Sequence, residues 1–138
     1  MDAESHKEIE DFLRAMRQAY NTQDMKAFRQ HFWTNPGFVH LDASGRMDEG
    51  WGSFEEVLDQ EFRYLDSVQL NLRNTTVRVF DGRYALVTAE WKLSQVDPGG
   101  RAQDIGGRAS FTLVRLDGRE WKIVGSHYTA LESISEEA

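Results

Sequence analysis

The sequence predicts an α+β domain in which a curved antiparallel sheet wraps around three N-terminal helices. Apolar residues recur at three- and four-residue spacing in the first half of the chain and alternate with polar residues in the second half. Helices grouped before strands are typical of the α+β class. With 138 residues, 40% of them hydrophobic, we expect one domain over residues 1–138 with a sizeable core.

Three helices are predicted. An apolar stripe over residues 4–20, ending at Tyr20, indicates the first helix, and Asp24 is placed to cap a short second one. Ser53 and Glu56 have the spacing of a capping box, which predicts that the third helix begins there. Its apolar stripe consists of Phe54, Leu58, Phe62 and Leu65.

Six strands are predicted from alternation and turn residues. Two short strands, Phe38–Asp42 and Arg46–Gly50, flank a turn that contains glycine. Four long strands follow the third helix, and Asp-Gly dipeptides join the first pair and the last pair. The four long strands are Val68–Phe80, Arg83–Val96, Asp104–Leu116 and Trp121–Thr129.

The last hairpin carries the most specific prediction. If Asp117-Gly118 forms a two-residue loop, Arg108 lies opposite His127, and a four-residue loop still leaves these two residues on one face. Either register places them at the end of the apolar face that carries Trp121. An arginine and a histidine at the end of an apolar face predict a pocket with a polar floor.

The composition of the chain indicates which binding partners and which cellular location to expect. A net charge of −7 argues against a nucleic-acid partner and against an anionic membrane surface. The absence of cysteine and the polar N-terminus fit a cytoplasmic protein, and no apolar run approaches the ~18 residues of a membrane span. No glycine-rich phosphate loop or histidine spacing indicates a cofactor or a metal, so we expect neither. The acidic residues Asp42, Asp48 and Glu49 are interpreted as solvated turn charge.

The closing run Gly107–His127, together with Asp81–Trp91 and Phe38–Asp42, resembles the NTF2-like superfamily. More narrowly it resembles the SnoaL-like and DUF4440-type branch, which is related to ketosteroid isomerase. The resemblance covers residues 5–131 and implies a cone-shaped, cystatin-like roll that binds a small molecule inside the cone. It also implies a homodimer formed through the outer sheet face. Because this fold hosts enzymes, binders and assembly modules alike, it implies no single function.

Two histidines and one arginine are candidates for chemistry. Steroid isomerases of this superfamily use an aspartate base on the first strand and a protonated aspartate on a later strand. The resemblance places His40 and Arg108 near those positions, so it makes His40 a candidate base without implying steroid isomerisation. The alternative for His40 is a half-exposed histidine on a short edge strand. Arg108 can hold a ligand carboxylate bidentately; the alternatives are an internal salt bridge and simple exposure to solvent. His127 can relay a proton, and its structural alternative is a core histidine bonded to the backbone.

Three aromatic residues are further candidates for the pocket. Tyr20 ends the first helical stripe, from which its phenol can reach into the cone. Trp91 falls on the interior side of its strand and offers a flat wall to a ring. Trp51, directly after Gly50, can close the pocket mouth or can anchor the turn into the third helix. Tyr20 and Trp91 can equally be plain core residues.

These residues define the predicted function. His40 and His127 are the candidate catalytic residues, and Tyr20, Trp51, Trp91 and Arg108 are the candidate ligand-binding residues. We expect a pocket for a modest hydrophobic ligand, acidic or carbonyl in character. An isomerase- or hydratase-like proton transfer is a second hypothesis, with His40 or His127 as the base. The alternative is a dimerisation or assembly module with a vestigial cavity.

Overall fold

The computed structural model describes residues 2–131. Helices α1 (Asp2–Asn21) and α2 (Met25–Arg29) come first, and strands β1 (Val39–Leu41) and β2 (Met47–Glu49) precede helix α3 (Trp51–Tyr64). Four long strands follow: β3 (Ser67–Phe80), β4 (Tyr84–Val96), β5 (Ala102–Leu116) and β6 (Glu120–Ala130). They form one curved, unclosed sheet in the order β2-β1-β6-β5-β4-β3. The predicted α+β class is confirmed.

One strand pair departs from the predicted antiparallel sheet. Strand β1 runs parallel to β6, whereas the other pairs in the described chain are antiparallel. The chain is already aligned with β6 before β1 begins, since Ile123 donates its N–H to His31 O at 2.9 Å and Trp33 donates to Ile123 O at 3.0 Å. This parallel pair sets His40 beside β6.

The helices follow the predicted stripes, with one change at the start of α3. Asp24 caps α2 as predicted, because its Oδ1 accepts a hydrogen bond from Ala27 N–H at 3.1 Å. Helix α3 begins at Trp51, before the predicted capping box, and Gly50 precedes it with a φ of +91°. The Trp51 N–H is satisfied by Asn35 O at 3.1 Å, so no side-chain cap is needed there. No helix within residues 2–131 is long and apolar enough to cross a membrane.

At its turn the last hairpin adopts neither predicted register, and only farther along the strands does its pairing become that of the four-residue loop. Leu116 pairs with Glu120 across a three-residue turn, and the pairing then shifts at Val124. Beyond that β-bulge, Ser110 lies opposite His127. A bulge inserts one extra residue into a strand, so the side chains after it face the opposite side from those that alternation predicts.

The core lies between the helices and the inner face of the sheet. Its fully buried members are Phe38, Phe111, Ile9, Met16, Leu113, Ile123 and Val87. Trp91 on β4 lies opposite Gly107 on β5, and its indole N–H donates to Arg108 O at 3.0 Å and Thr129 O at 3.3 Å. A Cβ on Gly107 would come within 1.7 Å of Thr129 O, so this close approach requires glycine.

Candidate functional site

A cavity of about 280 Å³ lies between the helices and the inner sheet face. Apolar side chains from the helices and the long strands form most of its wall, including Met16, Phe28, Phe54, Leu58, Leu70, Trp91 and Phe111. Uncharged polar side chains come from Tyr20, His40, Ser44, Gln95, Gln103, Ser126 and Tyr128. A few polar groups on an apolar wall are what a small-molecule site requires to bind and orient its ligand.

His40 is fixed in this wall by the parallel pairing of β1 with β6. Its register partner is Ser126, and Nδ1 of His40 lies 2.7 Å from Ser126 Oγ. The imidazole also packs on Phe54, with ring centroids 4.3 Å apart. His40 is only 8% exposed. This burial lowers the pKa of His40 from 6.5 to about 4, although the nearby carboxylates of Asp48 and Asp42 act in the opposite direction. The imidazole is therefore neutral at pH 7.

Three of the polar atoms at the cavity belong to His40, Tyr20 and Tyr128. Within the described chain, no group forms a hydrogen bond with Nε2 of His40 or with the hydroxyls of Tyr20 and Tyr128. None of these three atoms is fully enclosed, because Arg17 Nε is the one side-chain nitrogen or oxygen in that part of the chain that is both buried and without a partner. The three atoms are therefore accessible, and all three residues line the cavity. Burial raises the pKa of both tyrosines, so both hydroxyls keep their protons at neutral pH.

Three carboxylates, Asp42, Asp48 and Glu61, form what we call the acidic rim of the cavity. Asp42 Oδ1 accepts hydrogen bonds from the backbone N–H groups of Ser44 and Arg46, both at 2.9 Å. Asp48, which is 5% exposed, pairs with the Arg46 guanidinium at 2.8 Å. The predicted interpretation of Asp48 as solvated turn charge is therefore wrong.

The ionisation of the acidic rim follows from its surroundings. Burial works against the charge of Asp42, but hydrogen bonds from the Ser44 side chain and from the Arg46 and Ser44 backbone outweigh it and lower its pKa. Burial, together with the charges of Asp42 and Asp48, raises the pKa of Glu61. No lysine or arginine is among the cavity-lining residues of the described chain. The charged groups of the cavity are thus acidic.

Arg108 and His127 lie outside the cavity, and their predicted place in the pocket is wrong. Both are exposed on the outer sheet face, where they line a shallow depression with Glu90 and Asn74. Arg108 and His127 do lie on the same face of the sheet, as both predicted registers require. The bulge at Val124 explains the error for His127, because it separates the face of His127 from that of Trp121 and Ile123, which stay buried in the core. The three-residue turn explains the error for Arg108, because it pairs Trp121 with Arg115, so Arg108 lies on the opposite face of β5. Because Arg108 lies outside the cavity, it cannot make the expected contact with an acidic ligand there.

Two of the three aromatic candidates lie at the cavity and the third does not. Tyr20 and Trp91 line the cavity, and Trp91 presents its ring there because its N–H is already bonded to the backbone. Trp51 does not line the cavity. Its ring packs on Phe32 at 5.0 Å and on Phe38 at 5.5 Å, so it anchors the turn into α3 and does not close the mouth.

Sequence reasoning missed Ser126 and Tyr128, which the bulge turns inward, and Glu61 on the exposed side of α3. A signal for the first two was present in Gly125, since a glycine within a strand pattern often marks a bulge. A bulge there predicts Ser126 and Tyr128 on the inner face and His127 on the outer face. No comparable signal marks Glu61.

Solved structures with the same fold cover almost the whole chain. An NTF2-like superfamily protein from Salmonella enterica has a TM-score of 0.87 at 19% identity, covering 100% of this chain and 99% of that one. A protein from Novosphingobium aromaticivorans, proposed to be a scytalone dehydratase, has a TM-score of 0.85 at 13% identity, covering 95% and 87%. A protein of the NTF2-like family from Streptomyces avermitilis, proposed to be a dehydratase, has a TM-score of 0.85 at 15% identity, covering 96% and 100%.

At these identities the structures establish the fold and leave the reaction open. No protein of curated function matches the chain. The family model of the SnoaL-like domain matches residues 9–131, which is nearly the whole described chain. This protein therefore belongs to the SnoaL-like domain family, within the NTF2-like fold.

Proposed function

We propose that this domain binds a largely apolar carbonyl compound in its cavity and catalyses proton transfer on it, as an isomerase or a dehydratase does. The observation that supports this most is His40. It is a buried, neutral histidine with one ring nitrogen bonded to Ser126 and the other open to a cavity that two tyrosine hydroxyls also reach. A base and hydroxyl donors around one apolar space are the parts that abstraction of a proton next to a carbonyl requires.

In the proposed reaction the proton of His40 sits on Nδ1 and is donated to Ser126 Oγ, which leaves the Nε2 lone pair free. Nε2 takes a proton from the carbon next to the carbonyl, and the carbonyl oxygen becomes an enolate oxygen. Tyr20 and Tyr128 donate hydrogen bonds to that oxygen. The imidazolium then returns the proton to another carbon, which isomerises the substrate. Alternatively it protonates a β-hydroxyl, which leaves as water.

The low pKa of His40 is compatible with this role. A weak base can abstract a carbon-bound proton when donors placed beforehand stabilise the enolate, and a carboxylate base of pKa near 4.6 does so in ketosteroid isomerase. A pKa of about 4 keeps His40 unprotonated across the neutral range. The two tyrosine hydroxyls, held protonated by burial, supply the donors.

Solvent-deuterium exchange tests this proposal with a defined probe. The probe is 2-tetralone, a neutral ring ketone with exchangeable protons next to its carbonyl. We expect the wild-type protein to accelerate exchange, and His40→Gln to lower the rate by about 100-fold or more. Glutamine can keep the bond to Ser126, so the fold is retained. His127→Gln, a histidine change on the outer face, is the matched control and should exchange like wild type. Equal rates for wild type and His40→Gln would overturn the assignment of His40 as the base.

We also propose that the outer sheet face joins two copies of the chain, as an assembly module would. Two aromatic register partners on that face, Phe80 and Tyr84, are 54% and 48% exposed, and Leu86 on the same face is 36% exposed. A cluster of exposed apolar side chains on a sheet face is typical of an interface. Light scattering should give twice the chain mass for wild type and the chain mass for Tyr84→Glu. A monomeric mass for the wild-type protein would contradict the proposed dimer.

A further inference from the structure

The charge of the cavity lining bears on the ligand. Among the cavity-lining residues of the described chain, the acidic rim (Asp42, Asp48 and Glu61) supplies the formal charges, and His40 is neutral. The Arg46 guanidinium acts on Glu61 electrostatically, but it is paired with Asp48 and is not among the lining residues. Two carboxylates are left without a cationic partner in the described part of the chain.

Glu61 links the rim to the interior. Its side chain has no hydrogen-bond partner within residues 2–131, and its pKa responds to Asp42 and Asp48 on the β1–β2 hairpin. It also acts electrostatically on Tyr20, inside the cavity. A carboxylate in this position repels a ligand anion and attracts a ligand cation, and the partial burial of the site strengthens both effects relative to bulk water.

A second observation points to a ligand and not merely to an acidic surface. His40 is more than nine-tenths buried, and its Nε2 atom is open to the same cavity without a partner in the described chain. An apolar wall that includes Trp91 and Phe111 lies beside it. A molecule that satisfies all of these groups has an apolar ring body, a polar group at the inner histidine and a positive charge at the rim.

We infer that the natural ligand carries a cationic amine on an apolar ring body, with the amine at the acidic rim and the rings in the cavity. This inference rests on the cavity of the proposed function but not on turnover. It reverses the charge that the sequence favoured, because the arginine expected to hold a ligand carboxylate lies on the outer face.

Three probes with one ring body separate the charge classes: 2-(aminomethyl)naphthalene, 2-naphthalenemethanol and 2-naphthoate. Dissociation constants at pH 7 are measured by naphthalene fluorescence or calorimetry. We expect the amine to bind most tightly, the alcohol less tightly and the carboxylate least. Glu61→Gln should weaken the amine by about fivefold and leave the alcohol unchanged, the size expected for a partly exposed ion pair. Because the Glu61 side chain has no internal bond in the described chain, the variant should fold.

Two controls sharpen the test. Glu56→Gln removes an exposed carboxylate of the same helix that does not line the cavity, and it should leave all three affinities unchanged. Glu61→Lys should abolish the preference for the amine over the carboxylate, because the new ammonium balances the unpaired charge of Asp42. The inference is overturned if the carboxylate binds wild type as well as the amine does, or if none of the three probes binds. Amine binding without tetralone exchange would instead count against the catalytic proposal alone.

Discussion

His40 and Ser126 are register partners on two parallel strands, and their side chains lie 2.7 Å apart at the cavity wall. In a parallel pair the neighbouring side chains point to the same face, so this pairing fixes which nitrogen of His40 is bonded and which one is open. The short strand β1 thus does more than join β2 to the rest of the sheet. It positions the one buried histidine of the described chain.

The first prediction concerns stability and pH. The pKa of His40 is about 4 in the folded state and 6.5 in the unfolded state. Below pH 6.5 the unfolded state binds a proton that the folded state does not, so stability falls as pH drops from 6.5 toward 4 and is unaffected by His40 above pH 6.5. Between pH 7 and pH 4.5, urea unfolding should show a loss of stability that is about 2 kcal/mol larger in wild type than in His40→Gln. Equal losses would mean that His40 is not held neutral by burial.

The second prediction separates Tyr128 from the fold. Its hydroxyl has no partner in the described chain, so Tyr128→Phe should change the free energy of unfolding by less than about 1 kcal/mol. Loss of one donor to a developing oxyanion should lower kcat for tetralone exchange by about 100-fold. Kinetics and urea unfolding on the same preparation decide the point. An active Tyr128→Phe, or one that is strongly destabilised, would assign the tyrosine to packing.

The third prediction concerns Gly107. Its Cβ position is filled by Thr129 O at 1.7 Å, so Gly107→Ala must force β5 and β6 apart and should cost about 3 kcal/mol. Gly52→Ala is the matched control. Gly52 lies in α3 with no atom within 4 Å of a Cβ, and alanine there should stabilise by up to about 1 kcal/mol. Similar unfolding midpoints for the two variants would contradict the close approach of Trp91, Gly107 and Thr129.

The fourth prediction concerns Arg108. Because Arg108 lies on the outer face, Arg108→Leu should leave the affinity of every naphthalene probe unchanged. Its effect, if the proposed dimer forms, should appear as a change in the concentration at which the mass doubles. A selective loss of 2-naphthoate binding in Arg108→Leu would restore the arginine to the ligand site and contradict the placement of β5.

Much of the fold followed from local patterns. The stripes of the helices, the cap at Asp24 and the alternation of the long strands each depend on residues a few positions apart, so they can be read from sequence. The composition of the site depended on a β-bulge, which local patterns do not reveal. A single extra residue at Val124 exchanged His127 for Ser126 and Tyr128 at the cavity, and no alternation pattern reveals such an insertion except through Gly125.

His40 and Arg108 show the same contrast. His40 was placed by its strand and by family resemblance, and a short strand beside β6 tolerates little variation in register. The placement of Arg108 assumes a loop of two or four residues, either of which sets it on the face of Trp121, whereas the turn has three residues. The inner face of β5 instead holds Ala109 and Phe111, which leaves Arg108 to solvent.

The pH dependence of kcat/KM for 2-tetralone exchange tests the role of His40 most directly. It reports the pKa of the essential base in the free protein. A constant value from pH 7 down to about pH 5, followed by a fall with an apparent pKa near 4 that is absent from the residual rate of His40→Gln, is the predicted result. A fall with an apparent pKa near 6.5, the ordinary value for histidine, would contradict the assignment of buried His40 as the base.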